Sequence, residues 1–293
     1  MQSEVNMKNG ILLSLLSSLV FSVMNALVKG ISSTIPAAEI AFFRGLIGTL
    51  LILILMRYSG VAFSRKGIPM LAVRGLSGGL YMLAFFYTLS NIPLTDASLL
   101  AQLAPIFVAL LSALILKEKL GRRGAAVFPV IFAGALLLLK PHEFSSYSVY
   151  ALVGLLSAFF SAAASISIRY LSRTHPSYEI VFYFVATSTL VAIPFMWDSF
   201  VIPDARESVM LLIIGLVSLL GQLFLTKAFT HENAVIVQIV SYFGLFLNVL
   251  FGYLFWNEIP DLLTVAGGVM IVAGCMILFG GYRRSSPKTK LRM

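Results

Sequence analysis

The chain is poor in charge, in acid and in cysteine. Only 11% of its 293 residues are Asp, Glu, Lys or Arg, against 59% hydrophobic. A soluble domain needs roughly twice that charged fraction to coat its surface. The shortage excludes a water-facing globule, and a mean hydropathy of +0.96 makes lipid the fitting solvent. The single cysteine, Cys275, stands in an apolar run, which excludes a disulfide framework and a cysteine metal site and leaves it a packing role. The three histidines, His142, His175 and His231, stand near loops without zinc-site spacing. With no phosphate-cradling loop either, neither an enzyme nor a cofactor or metal protein is expected, and an ATP-driven pump would need a separate subunit.

What is present is a series of long runs without charge: Asn9–Val28, Gly75–Thr95, Ala97–Leu116, Gly124–Leu139, Phe144–Ile168, Ile180–Trp197, Ser208–Thr226, Asn233–Asn257 and Leu262–Tyr282. A tenth apolar stretch, Ala37–Met56, carries Glu39 and Arg44. About 20 residues of helix cross a hydrocarbon layer of about 30 Å. Backbone in lipid must satisfy its own hydrogen bonds, so each run predicts a helix. The expected fold is an all-α membrane protein of ten transmembrane helices. The first run is too long for a signal-peptide core and no A-x-A-like cleavage site follows it, so it is expected to be the first span.

Lysine and arginine predict the orientation. With ten evenly spaced spans, 16 of the 21 basic residues fall on the side of the two chain ends. Only Lys29, Lys140 and Arg206 fall on the opposite side. Cytoplasmic loops carry the excess of Lys and Arg, so both termini are expected in the cytoplasm of a multi-pass plasma-membrane protein, the bacterial inner membrane being the natural setting. The net charge of +9 is then a topology signal rather than a nucleic-acid footprint.

An internal repeat follows from sliding the chain against itself by 140 residues. Lys29 then meets Arg169, Pro36 meets Pro176, Glu39 meets Glu179, Gly75 meets Gly215 and Glu118 meets Glu258. Four of the eight glutamates pair at this one offset, which apolar composition cannot produce. The repeated unit has five helices, an odd number, so the second copy enters the membrane upside down. Expected units are a first repeat at 9–140, a second at 148–282 and a basic cytoplasmic tail at 283–293. Inverted repeats suit alternating access, in which one central site opens to each side in turn.

These residues resemble the drug/metabolite transporter superfamily, specifically the EamA-type carriers of two five-helix repeats. The likeness rests on Pro36-x-x-Glu39-x-x-Phe42-Phe43-Arg44, on Ala97-Ser98 followed by Pro105, and on Glu118 and Glu258 closing the fourth and ninth spans. The run from Arg74-Gly75 through Phe86-Tyr87, then Pro93-Leu94-x-Asp96-Ala97, is similar to the subgroup containing S-adenosylmethionine uptake carriers. The resemblance implies a basket in which spans 1–4 and 6–9 surround a central cavity while spans 5 and 10 pack outside. It also implies a secondary active transporter of a small organic metabolite, amino-acid-like or nucleoside- or cofactor-like such as S-adenosylmethionine, driven by protons or exchange. A passive channel-like facilitator or a drug/metabolite efflux carrier is the alternative. Expected partners are that small-molecule substrate and the bilayer, with no nucleic acid, for a monomer or homodimer.

Arg44 lies about 10 Å inside its span, and a charge at that depth reads as functional by default. Its fork suits a carboxylate or phosphate, unless it snorkels outward or pairs structurally. Asn25, Tyr81, Gln102, Gln222, Gln238, Tyr242 and Asn248 fall in spans that would line the cavity, where amides need partners. They are expected to bind substrate with Arg44, interhelical hydrogen bonding being the alternative. Glu39 follows Pro36 at a helix start and reads as a cap on the helix dipole or as a proton-coupling group. Glu118 and Glu258 read as loop latches or gates. Phe85, Phe86, Tyr87, Phe243 and Trp256 are expected to face lipid or the interfacial belt.

Overall fold

Proline and glycine mark where the helices begin. The computed structural model describes residues 2–115, 127–139, 146–232 and 234–285, with side chains described except at 2–9, 109, 112–115, 146, 234–236, 238, 239 and 278–285. Helix α1 is Gln2–Ile31 and α2 is Ala37–Tyr58, with Pro36 at the N-cap of α2. Helix α3 (Ile68–Asn91) starts behind Gly67, whose φ of 73° suits a residue without Cβ. Next come α4 (Leu94–Ala101), α5 (Ala104–Ile115), α6 (Phe128–Leu139), α7 (Ser146–Leu171) and α8 (Ser177–Met196, N-capped by Pro176). Helix α9 (Ala205–His231) opens with a capping box: Asp204 accepts from the Glu207 N–H at 2.7 Å while Glu207 accepts from the Asp204 N–H at 2.8 Å. Helices α10 (Ala234–Trp256) and α11 (Leu262–Ser285) complete the order, and no strand occurs among the described residues.

Six of these helices are long and apolar enough to cross a bilayer, and shorter apolar helices supply the other four spans. The lipid-facing side is apolar, with Leu50, Leu190 and Phe246 more than half exposed. The fourth span departs from the sequence expectation of one helix. It is α4 plus α5, joined by a turn at Gln102 and Leu103. Pro105 is the cause, because it has no N–H to give and its ring would clash with the Ala101 carbonyl in a continuous helix.

The two repeats interlock rather than stand apart. Each close helix pair joins one repeat to the other: α1 with α9, α3 with α7, α2 with α8, and α6 with α11. Helices α6 and α11 pack through Gly134 and Gly267, where a Cβ on either would lie under 3 Å from the other's carbonyl oxygen. These are spans 5 and 10, and none of their described residues lines the central cavity. At the middle, α2 crosses α8 through Gly45. A Cβ there would stand 2.4 Å from Thr189 Oγ1, 2.9 Å from Thr189 N and 3.0 Å from Val185 O. Two of those three atoms are helix backbone and cannot swing aside.

Gly45→Ala is therefore expected to lower the apparent melting temperature of detergent-solubilised protein by several degrees, since overpacking costs about 1–3 kcal/mol. Gly30→Ala, whose added Cβ would meet nothing nearer than 3.9 Å, is expected to leave it unchanged. Equal melting curves for the two variants would contradict the close crossing.

Candidate functional site

The polar residues of α1 fall on one face, because Ser14, Ser18, Ser22 and Asn25 repeat at helical spacing. Lipid cannot bond them, so the face turns inward. Ser17 donates to the Gly221 carbonyl of α9 and Ser22 to the Gly244 carbonyl of α10, each at 3.0 Å. Beside these ties lies a central cavity of about 190 Å³, walled by α1, α3, α4 and α5 of the first repeat and α7, α8, α9 and α10 of the second. The wall carries the repeat symmetry. Asn25, Met24 and Phe21 stand 140 positions before Ser165, Ala164 and Ser161, and all six line the space.

Of the residues expected to bind substrate, Asn25, Tyr81, Gln102, Gln222 and Asn248 line this cavity. Asn248 donates to Ser98 Oγ at 2.9 Å, which ties α10 to α4 across it. Gln102, in the turn that Pro105 forces, reaches the Ser241 carbonyl at 3.4 Å. The buried Asn25 leaves its side-chain oxygen without a partner in the cavity wall. Tyr242 is not among the lining residues and lies beside the buried Cys275 of α11. The side chain of Gln238 and the whole of Glu118 lie outside the described residues.

Arg44 is 1% exposed and does not snorkel. Its guanidinium carbon lies 5.8 Å from the Phe86 ring centroid and 5.3 Å from that of Phe184. The other side of the arrangement is Arg74, which the sequence does not mark as a site residue. Arg74 is also 1% exposed, stacks 4.3 Å from the Phe184 centroid and lines the cavity. A charged side chain in the apolar span beginning at Ile68 was the available signal. Gly78 makes room for the stack, since a Cβ there would lie 2.3 Å from Arg74 Nη1 and 2.4 Å from Phe184 Cδ2. Ring faces recover about 0.5–2 kcal/mol per cation, less than the several kcal/mol that a buried unpaired charge costs.

Two aromatic expectations are corrected. Phe85 is buried in the cavity wall and Phe86 is fully buried against Arg44, because an inward charge needs ring faces more than lipid needs them. Tyr87 and Phe243 are exposed as expected. Glu39 and Glu179 are fully buried at the starts of α2 and α8, yet neither helix has a side-chain cap bond. Glu39 instead accepts from the Val201 N–H at 3.0 Å, and Glu179 from the Ser64 N–H at 2.6 Å. Each carboxylate thus holds a loop of the opposite repeat. A loop N–H has no helical partner to lose, so it takes the carboxylate that the first turn could have used.

Glu258 closes the face on which α1 ends. It accepts from the Leu94 N–H at 2.8 Å, capping α4, and pairs with Lys29 at 3.4 Å. Lys29 also donates to the Ile92 carbonyl at 2.6 Å. Toward the other face the cavity wall runs to Ile168, Phe229 and Val237, near the end of α7, the end of α9 and the start of α10. The space is therefore polar at mid-depth, latched by charge at one face and walled by apolar side chains toward the other.

A family model, the EamA-like transporter family, matches residues 8–140 and 148–280. The pseudopaline exporter CntI of Pseudomonas aeruginosa is 58% identical over 273 residues, covering 93% of this chain and 96% of that protein. An S-adenosylmethionine uptake transporter of Rickettsia prowazekii is 26% identical over 280 residues, covering 94% of each. A crystal structure of a 20% identical protein superposes with a TM-score of 0.67 over 95% of this chain and 99% of its own, a likeness of fold. With both repeats matched and a full-length relative well above 30% identity, the chain is a membrane-embedded transporter that belongs to the EamA-like family.

Proposed function

We propose that the chain is a secondary carrier that exports a small polar metabolite across the bacterial inner membrane by alternating access. The observation that carries this reading is the 58% identity, end to end, with a protein that exports pseudopaline. The uptake direction implied by the S-adenosylmethionine likeness rests on 26% identity, so export is the better supported.

The arrangement of the cavity supports a carrier. With 16 basic residues on the side of the chain ends, both termini lie in the cytoplasm. The Lys29–Glu258 latch then lies at the outer face, and the wall formed by Ile168, Phe229 and Val237 lies toward the cytoplasm. A charged latch on one face favours a carrier over a passive channel, which needs both faces open together. Movement is driven by protons or by exchange.

Two outcomes follow. Cells lacking the chain are expected to retain a small metabolite and to release several-fold less of it into the medium, measured by untargeted mass spectrometry of both fractions. In proteoliposomes that metabolite, labelled, is expected to enter faster when the unlabelled form is inside. Chain-dependent accumulation in cells would overturn export, and the absence of acceleration would overturn the carrier.

The latch is tested with Ser98→Cys as reporter in a Cys275→Ser background. Glu258→Ala is expected to speed labelling of that thiol by an impermeant maleimide added outside intact cells. Glu258→Gln keeps an acceptor for the Leu94 N–H but loses the ion pair, so it is expected to fall between. Identical labelling rates in all three would remove the outer latch.

A further inference from the structure

Arg44 and Arg74 share a property that no other charged side chain described here has. Both are in spans, both are 1% exposed, and both are stacked on Phe184. The Nε and both terminal nitrogens of Arg44, and the Nε of Arg74, have no hydrogen-bond partner. Among the described residues, no carboxylate lies within ion-pair distance of either, the one such pair being Lys29 with Glu258. The buried acids are engaged elsewhere: Glu39 and Glu179 each give one oxygen to a loop N–H and leave the other unpaired, and Asp96 accepts from Tyr147 at 2.6 Å and from Thr264 at 2.8 Å.

Two like charges at membrane depth without a counter-ion form half of a site. A purely structural arginine would be paired or turned to the interface, and these two are held inward by rings. Gly78 leaves the space that the Arg74–Phe184 stack fills, and Arg74 forms part of the cavity wall. The same cavity wall carries neutral amides, Asn25, Gln102 and Gln222, which can bond a substrate without adding charge.

The geometry points to Arg44 and Arg74 as an anion subsite for a metabolite bearing at least two carboxylates. Arg74 contacts one acid group from the cavity wall. Arg44, one layer behind beside Phe86, supplies the second charge that the cargo neutralises. The substrate is thus the missing counter-ion of the fold. Two cations call for a cargo with two negative charges, and the one fork that reaches the cavity, that of Arg74, takes a planar carboxylate edge on. This assignment of substrate class rests on the transport reading above.

The test uses the purified full chain and its melting temperature at constant ionic strength, with sodium acetate, malate, citrate and inorganic phosphate as probes. Malate and citrate are expected to raise the melting temperature by about 3–6 °C at tenfold saturation, and acetate to leave it unmoved. Arg44→Met and Arg74→Met are each expected to abolish the shift. Should Arg74→Met not fold, Arg74→Lys is decisive, because a point charge without a fork should shrink the shift and leave part of it. No shift with malate or citrate, an equal shift with acetate, a shift with phosphate alone, or an undiminished shift in the arginine variants would each overturn the subsite. If malate and citrate fail while chain-dependent export persists, the subsite falls and the exporter stands. A carboxylate shift without export leaves the subsite standing and removes the exporter.

Discussion

Hydrocarbon offers no hydrogen bonds, and the placement of most polar side chains described in this chain follows from that. A side chain that cannot be solvated by lipid must find protein or an enclosed polar space. Ser17 and Ser22 of α1 find carbonyls of α9 and α10, while Ser14 and Ser18 bond carbonyls of their own helix. Glu39 and Glu179 find loop N–H groups, and Asp96 finds two hydroxyls. Asn25, Gln102 and Gln222 gather on one cavity. The cavity is thus a consequence of where ten apolar helices place the few polar groups they carry.

The repeat symmetry is sharp in the latches and broken at the centre. Glu39 and Glu179 stand at equivalent positions and perform equivalent tasks on opposite faces. Arg44 and Phe184 are also equivalent, 140 residues apart, yet one is a cation and the other the ring it packs on. Equivalent positions that touch lie beside the axis relating the two repeats. Divergence there turns two copies of one residue into a complementary pair, and it gives a site with one charged wall. A symmetric pair of arginines at that axis would face each other without a ring between them.

Spans, orientation signal and repeat were legible because they depend on runs of residues and on one fixed offset. Membership of the wall was legible for Asn25, Tyr81, Gln102, Gln222 and Asn248, because amides and phenols in apolar helices have few places to go. What was not legible depended on rotation about a helix or on a partner far away in sequence. Phe85 and Phe86 look like lipid-facing aromatics until Arg44 and the cavity fix which way α3 turns. Glu39 looks like a helix cap because Val201, its actual donor, is 162 residues away. Arg74 stands six residues after the first of its helix, where snorkelling would have been a sufficient account. Only its stack on Phe184 and its place in the wall distinguish the two.

The fold also separates what must stay fixed from what must give way. Where α2 crosses α8, the contact is Gly45 against helix backbone, and no rotamer change can loosen it. At the face on which α1 ends, the contacts are a carboxylate on a helix N–H and a lysine on a carbonyl, with Lys29 and Glu258 13% and 15% exposed. Partly wet bonds of this kind exchange with water at a net cost of about 1–3 kcal/mol each. Two conformations separated by a few kcal/mol interconvert readily under the differential binding of a ligand. A polar latch therefore serves a moving end better than an apolar one, since its groups are solvated when it opens. Close backbone packing is kept for the crossing of α2 and α8, where Gly45 meets Thr189 and Val185.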